Sequence, residues 1–367
     1  MNSADSVDPK KVQDRRLSLI INNLIMGLIS VDNDCKIGLN NSSALNMLNT
    51  NTNLEGRKIG DVLNLKYTDG RKVNIEDLIK QNRRIERDDI ILSADKQPDI
   101  NLRLSILPVQ SQYSDLNIGG TIIMMRDITK EKTLNEERDE FISVVSHELR
   151  TPVAIIEASI SNLQFLLAKD TDKDTLGSNL DLAHKQILYL GQMVNDLSTL
   201  SRADRNLYMD DEYINITDFI KNMKAKYLAD ADSKHIKLIA TTKVNQHDQV
   251  LIPNMVIEEI MQNLISNAIK YTPDNGTVSI GADYLGETKK RVIFYVKDTG
   301  IGISKSDQAH IFEKFWRSED YRTRKTSGTG LGLHVVDQLA KKANLTINVD
   351  SEFGKGSKFS FTLPVAS

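Results

Sequence analysis

One cysteine, Cys35, serves a chain of 367 residues. That excludes an internal disulfide framework and any cysteine metal cluster. Histidine is sparse too. The six are His147, His184, His235, His247, His310 and His334, and their spacing matches no metal-binding motif. No sign of charge dominates: 47 Lys and Arg stand against 50 Asp and Glu, a net of −3. That balance favours neither nucleic acid nor an acidic membrane surface as a direct partner. A long apolar run is also missing. The greasiest stretch, Leu17 to Val31, is interrupted by Asn22 and Asn23 and falls short of the ~20 apolar residues of a membrane span. Met1 to Arg16 is polar and charged, unlike a signal peptide or an anchor. The chain as given is expected to be soluble and cytoplasmic, without a transmembrane segment of its own. A membrane segment upstream of Met1 in a longer chain would leave no trace in this pattern.

The length suffices for two or three domains, each with a core. Residues 1–15 read as a polar lead-in. Residues 16–127 are mixed in type. Leu17 to Ile25 has helical spacing, and Gly27–Asp32 and Lys36–Asn40 flank Asn33-Asp34 as a hairpin. Ser42 to Leu48 reads as a short helix capped by Ser42 or Ser43. Asp99 to Leu107 alternates as a half-buried strand, and Gly120 to Thr129 closes the segment as another. A hairpin, small helices and two or three later strands make a small α+β domain. The pattern, down to the closing Arg126-Asp127-Ile128-Thr129, resembles a PAS sensor domain. No histidine precedes His147 and Cys35 sits at a turn, so neither a histidine-ligated haem nor a flavin adduct is expected there. Cys35 is read as a small turn or strand residue.

Thr129 to Asp139 is charged and helix-favouring, and runs unbroken into Phe141-Ile-Ser-Val-Val-Ser-His-Glu-Leu-Arg-Thr-Pro152. Leu134, Phe141, Val145, Leu149, Ile156, Ile160, Leu163 and Leu167 fall at helical spacings, giving one apolar seam. Pro152 removes a backbone donor one turn after His147, so a bend is expected there. Lys169 to Thr175 reads as a turn. Leu176, Leu180, Ala183, Ile187, Leu190, Val194 and Leu197 then form the cleanest heptad in the chain. Two antiparallel helices cannot bury two such seams alone, which predicts a dimeric antiparallel four-helix bundle over 128–205.

From 210 to 365, after a polar, acidic linker near 203–213, the pattern becomes α/β. Helices are expected at Ile216–Ala229, at Pro253–Tyr271 with Asn254 as cap, and at Gly332–Lys342. Strands are expected at Ile236–Thr242, Val278–Tyr284, Val292–Lys297, Leu345–Val349 and Lys358–Leu363. Four clusters carry chemistry. Asn263, Asn267, Lys270 and Tyr271 share one helix face, where amides and a lysine suit a metal ion and phosphate oxygens. Asp298-Thr-Gly300-Ile-Gly302 follows a strand; its carboxylate suits an exocyclic amino group such as that of adenine, and its glycines admit a ligand to the backbone. Phe312-Glu-Lys-Phe315-Trp316-Arg317 comes third and on its own is equally well core. Gly328-Thr-Gly330-Leu-Gly332 opens a helix after the polar stretch Ser318–Ser327, and backbone N–H groups there suit phosphate.

In this order the four clusters resemble the N, G1, F and G2 boxes of the GHKL ATP-binding fold. With Ser146-His147-Glu148-Leu149-Arg150-Thr151-Pro152 upstream, the chain resembles a sensor histidine kinase of the HisKA type. Relatives often carry an aspartate where Ile252-Pro253-Asn254 stands. The resemblance implies a multidomain α+β protein: a PAS-like α/β sensor, a dimeric antiparallel helical bundle, and an α/β-sandwich ATP-binding domain. It implies ATP and Mg2+ as cofactors, a homodimer, and a response regulator receiver domain as partner in two-component signalling. His147 would be the phosphoacceptor through Nε2, with Glu148 taking the Nδ1 proton. Asn267 would hold Mg2+, and Asn263 and Lys270 would serve the phosphates. Tyr271 would lie against the nucleotide and Asp298 would read the adenine amino group. Gly300 and Gly302 would shape that turn. Gly328, Gly330 and Gly332 would hinge the ATP lid, and Arg317 would stabilise charge at the γ-phosphate. Thr151, one turn after Glu148, would orient water for phosphatase action on the regulator. The competing reading is a non-catalytic signalling scaffold that binds ATP structurally. A chaperone-type GHKL ATPase leaves the His147 stretch unexplained.

Overall fold

The computed structural model describes residues 9–93, 98–109, 120–167, 173–204, 210–288, 290–318 and 328–366. It divides into two compact units, Met1–Ser146 and His147–Ser367. The first runs α1 (Pro9–Asn22), β1 (Gly27–Val31), β2 (Ile37–Asn40), α2 (Ser42–Met47), α3 (Ile59–Val62), β3 (Leu65–Tyr67), α4 (Ile75–Lys80), β4 (Ile85–Leu92), β5 (Ile100–Val109) and β6 (Gly120–Asp127). Its sheet is antiparallel in the order β2-β1-β6-β5-β4-β3. The first and last strands therefore lie side by side, from Gly27 opposite Met125 to Val31 opposite Thr121. Alternate residues Leu102, Leu104 and Ile106 of β5, with Ile123 and Met125 of β6, turn to one buried face against Leu54, Ile59 and Ile75.

Among the described residues four strands follow the hairpin, where two or three were expected. β4 escaped notice because Glu86-Arg-Asp-Asp89 masks its alternation, and its register against β5 shifts between Arg87 and Ile90. The α2 cap is Asn41, not Ser42 or Ser43. Asn41 is fully buried; its Oδ1 accepts from Ala44 N and Leu28 N at 2.9 Å each. Its Nδ2 donates to Ile21 O at 3.0 Å and Met26 O at 2.9 Å. A hydroxyl has one donor and could not make both of those last bonds. Cys35 is buried at the hairpin turn with φ +62, and burial pushes its thiol up.

The helix α5 (Thr129–Leu167) runs unbroken through Pro152. Because proline has no N–H, the Glu148 carbonyl loses its helical partner one turn upstream. α6 (Lys173–Asp204) follows, and Asn162 Nδ2 of α5 donates to Asn179 Oδ1 of α6 at 3.0 Å. The expected turn at 169–175 lies largely, and the linker at 203–213 partly, outside the described residues. Within one chain the apolar seam stays open: Ile160, Leu167, Leu180, Ile187 and Val194 are all exposed.

The remainder comprises β7 (Glu212–Asn215), α7 (Ile216–Ser233), β8 (Lys237–Lys243), β9 (Gln249–Ile252), α8 (Asn254–Tyr271), β10 (Thr277–Tyr284), β11 (Arg291–Asp298), α9 (Lys305–Gln308), α10 (Gly332–Lys342), β12 (Asn348–Glu352) and β13 (Gly356–Pro364). A five-stranded sheet, β12-β13-β11-β10-β8, is parallel only between β10 and β8. The short strands β7 and β9, absent from the sequence reading, pair separately. Residues of α7, α8 and α10 share one core with the sheet, centred on fully buried Phe294 and Phe361, whose rings stack at 5.3 Å. Truncating Phe294 to Ala there should cost about 3–5 kcal/mol.

Two local corrections concern helix ends. Asn254 is the first residue of α8, not its cap; the cap position is Pro253, whose φ of −57 suits a helix start without a side-chain bond. β12 begins at Asn348 rather than Leu345 because Leu345 belongs to the end of α10. Its N–H donates to Ala340 O at 2.7 Å and that of Asn344, at φ +54, to Lys341 O at 3.2 Å. That is a left-handed helix stop with asparagine in glycine's usual place.

Candidate nucleotide pocket and phosphoacceptor

The apolar side of α8, from Val256 and Ile257 to Ala268 and Ile269, is buried in the core. Its opposite face lines a cavity of about 380 Å³ with Asn263, Asn267, Lys270 and Tyr271. The C-terminus of α8 is held from outside. Lys234 Nζ donates to Ile269 O, Lys270 O and Thr272 O at 2.9, 2.7 and 2.9 Å, satisfying carbonyls that a helix end leaves unpaired.

Asp298 ends β11 and is buried beside this helix end. Its Oδ1 accepts from Gly300 N at 2.8 Å and Ser357 N at 3.2 Å. Burial pushes its carboxyl up and the two N–H groups pull it down. Gly302 has φ +67, and a Cβ there would collide with the Glu352 carbonyl, so the turn requires glycine. At Gly332, the first residue of α10, a Cβ would come within 2.8 Å of Asn263 Oδ1. The glycine lets the α10 terminus approach the amide face of α8.

The cavity thus gathers Asn263, Asn267, Lys270, Tyr271, Asp298, Gly302, Arg317, Gly328, Gly330 and Gly332. Gly300 stands behind them, bonded to Asp298. Of the aromatic cluster, Phe312 and Trp316 pack on the core, and Trp316 also faces the cavity. The stretch 319–327 lies outside the described residues. Lys270 is largely desolvated, which together with nearby Arg317 lowers its pKa to about 8. Its ammonium sits 4.7 Å from the centre of the Tyr271 ring.

His147, Glu148 and Thr151 do not line this cavity. The His147 side chain is 74% exposed, its Nδ1 3.7 Å from Glu148 Oε1. An exposed ring suits an acceptor that another body must reach. Thr151 Oγ1 donates to His147 O at 3.4 Å. Tyr189 of α6 joins this neighbourhood: burial and the negative charge of Glu148 push its hydroxyl up, while Arg317 opposes them.

Sequence reasoning missed Gln192 and Asp196 of α6, which also line the cavity, and Thr329, whose Oγ1 donates to Asp196 Oδ2 at 2.8 Å. The only local signal was an acid inside a heptad segment. Burial pushes the Asp196 carboxyl up, and its bonds from Thr329 and Gln192 oppose that.

An α/β layer with a polar cavity adjoins a helical hairpin that exposes a histidine. The family model of histidine kinase-, DNA gyrase B- and HSP90-like ATPases matches residues 254–367. The His Kinase A phosphoacceptor model matches 137–206. The chain is 31% identical over 356 residues to sensor histidine kinase WalK of Bacillus subtilis, covering 95% of this chain and 55% of that one. It is 30% identical over 279 residues to sensor protein SrrB of Staphylococcus aureus, covering 72% of this chain and 45% of that one. Among solved structures, histidine kinase ThkA in complex with response regulator TrrA shares the fold at TM-score 0.50 and 19% identity, covering 95% of this chain and 98% of that one. The chain belongs to the sensor histidine kinases of the HisKA and GHKL type. It spans about half the length of the curated relatives it matches. Among the described residues, no helix is long and apolar enough to cross a membrane.

The GHKL fold binds ATP with Mg2+. The residues present fit both. The buried Asp298 carboxylate offers an acceptor to an amino group, and the glycines at 328 and 332 leave space that a Cβ would fill against Lys270 and Asn263. Asn267 offers one amide oxygen, which fits a cation that keeps most of its shell from phosphates and water.

Proposed function

We propose that the chain phosphorylates its own His147 from Mg-ATP and passes the phosphoryl group to an aspartate of a response regulator. The carrying observation is convergence: the amide and lysine face of α8, Asp298 and the glycine turn open on one cavity, while His147 stands exposed on the hairpin. ATP supplies the γ-phosphoryl group and leaves as ADP. His147 Nε2 forms the new bond to phosphorus as Glu148 takes the Nδ1 proton. Such transfers depend on positioning and charge neutralisation, the roles proposed for Asn263, Asn267, Lys270 and Arg317. The apolar residues left open on the hairpin support a homodimer that buries them between two copies. Residues 16–127 act as a PAS-like sensor, 128–205 as the dimerising phosphoacceptor hairpin and 210–365 as the ATP-binding domain. The test is labelling from γ-labelled ATP: the protein should acquire acid-labile, base-stable label and lose it to a receiver domain. A protein that binds nucleotide yet never acquires label would be the scaffold instead.

Lys270 gives the binding step a pH dependence. With its pKa lowered to about 8, part of its charge is absent in mildly alkaline buffer. Arriving phosphates favour the charged form, so binding takes up a proton. Affinity for ADP should hold below pH 7 and fall above pH 8, towards tenfold per unit. Titration calorimetry at several pH values checks this, and a Lys270→Met variant should bind weakly with a flat profile. A wild-type profile equally flat would refute the role.

We also propose phosphatase activity towards the phosphorylated regulator, with Thr151 orienting water from its place one turn after Glu148. Thr151→Ala should slow dephosphorylation by about 10²-fold, the scale of losing one positioned group, while autophosphorylation stays within a few-fold. Dephosphorylation at the wild-type rate would remove Thr151 from that role.

A further inference from the structure

One face of α6 is polar where a bundle helix needs no polarity. Gln192, Asp196 and Thr199 recur at steps of four and three, and Asp196 and Thr199 are buried. Both oxygens of Asp196 are engaged. Gln192 Nε2 donates to Oδ1 at 2.7 Å and Thr329 Oγ1 to Oδ2 at 2.8 Å. Thr329 is buried too, and its Oγ1 also accepts from Leu331 N at 3.1 Å, just ahead of α10. One hydrogen bond therefore ties the hairpin to the middle of the Gly328–Gly332 turn.

Two physical facts set this bond against bound nucleotide, and both rest on the reading that the cavity takes ATP. A carboxylate lining the cavity repels polyphosphate through a medium that screens charge poorly. A hydroxyl also has a single proton. Thr329 donates it either to Asp196 or to a phosphate oxygen, never to both. An apolar residue at position 196 would be buried at lower cost, so a buried acid here calls for a role beyond packing.

We propose that Asp196 is a latch on the nucleotide cavity: it holds the glycine turn against α6 and yields it when phosphates enter. Binding of nucleotide and release of the ATP-binding domain from α6 are then one equilibrium. Coupling is reciprocal, so whatever weakens the bond strengthens nucleotide binding.

The test uses the full chain with Mg-ADP as probe. Asp196→Asn keeps the shape and removes the charge; Asp196→Leu removes both charge and acceptor. Each should bind Mg-ADP about tenfold more tightly, within the usual range of coupling between sites. In the wild type, amide exchange around 192–199 and 328–332 should differ between free and Mg-ADP-bound protein, with α6 less protected when nucleotide is bound. In both variants α6 should already exchange fast without nucleotide. A merely structural acid would lower thermal stability without tightening Mg-ADP or uncoupling the exchange. Unchanged or weaker Mg-ADP binding in a folded Asp196→Asn variant overturns the proposal. A wild type that binds no Mg-ADP overturns instead the reading of the cavity on which it rests.

Discussion

His147→Gln should bring labelling from γ-labelled ATP down to background, below about one part in 10³ of wild type, since losing a nucleophile removes the reaction path. Glutamine approximates the size of the ring, but its amide nitrogen has no lone pair free to attack phosphorus. The His147 side chain is 74% exposed, so the exchange should cost under ~0.5 kcal/mol of stability. His147 also lies outside the cavity lining, so Mg-ADP affinity should stay within twofold of wild type. The combination is diagnostic: a folded protein that binds nucleotide with full affinity and takes no label. Glu148→Gln makes a graded comparison, because it leaves the nucleophile and removes only the proton acceptor 3.7 Å from Nδ1. Labelling of the His147→Gln protein at the wild-type rate would place the phosphoacceptor elsewhere.

What could be read before the structure was what lies close along the chain. Asn263, Asn267, Lys270 and Tyr271 announce a shared face through helical spacing alone, and the cavity receives all four. Asp298 was legible because an acid followed by two glycines leaves a strand at a defined point. The misses depend on partners far away in sequence. Asn41 outcompetes Ser42 and Ser43 as a cap only because Ile21 and Met26 bring their carbonyls to it. Asp196 looks like an ordinary polar heptad position until Thr329, 133 residues later, meets it. The late start of β12 depends on how α10 stops, a choice made by Asn344 at positive φ, which a strand-like run of Leu345 to Val349 conceals. The open seam of the hairpin is the reverse case. Its heptad is plain in sequence, and one chain alone leaves it exposed.

Asp298→Asn should weaken adenine nucleotide binding about a hundredfold and leave the fold in place. The Asp298 Oδ1 accepts from Gly300 N and Ser357 N, and an asparagine oxygen can keep both bonds. The change falls on Oδ2, the acceptor left for a ligand. There the variant presents an amide N–H2 to the amino group of adenine, donor against donor. The loss is a hydrogen bond to a charged acceptor, about 1.5–3 kcal/mol, plus an unsatisfied buried donor, about 1–3 kcal/mol. At 1.4 kcal/mol per tenfold, the lower part of that sum already reaches a hundredfold. Asp298→Ala is a different experiment. It orphans the two buried N–H groups as well, so it should lower thermal stability where Asp298→Asn does not. The asparagine variant should also discriminate less between bases, because guanine carries an oxygen where adenine carries the amino group and can accept from the new N–H. Calorimetric titration of Mg-ADP and Mg-GDP against wild type and Asp298→Asn measures both effects. Unchanged Mg-ADP affinity, or an undiminished preference for adenine, would show that Asp298 does not read the base, and the cavity would then need another determinant for its nucleotide.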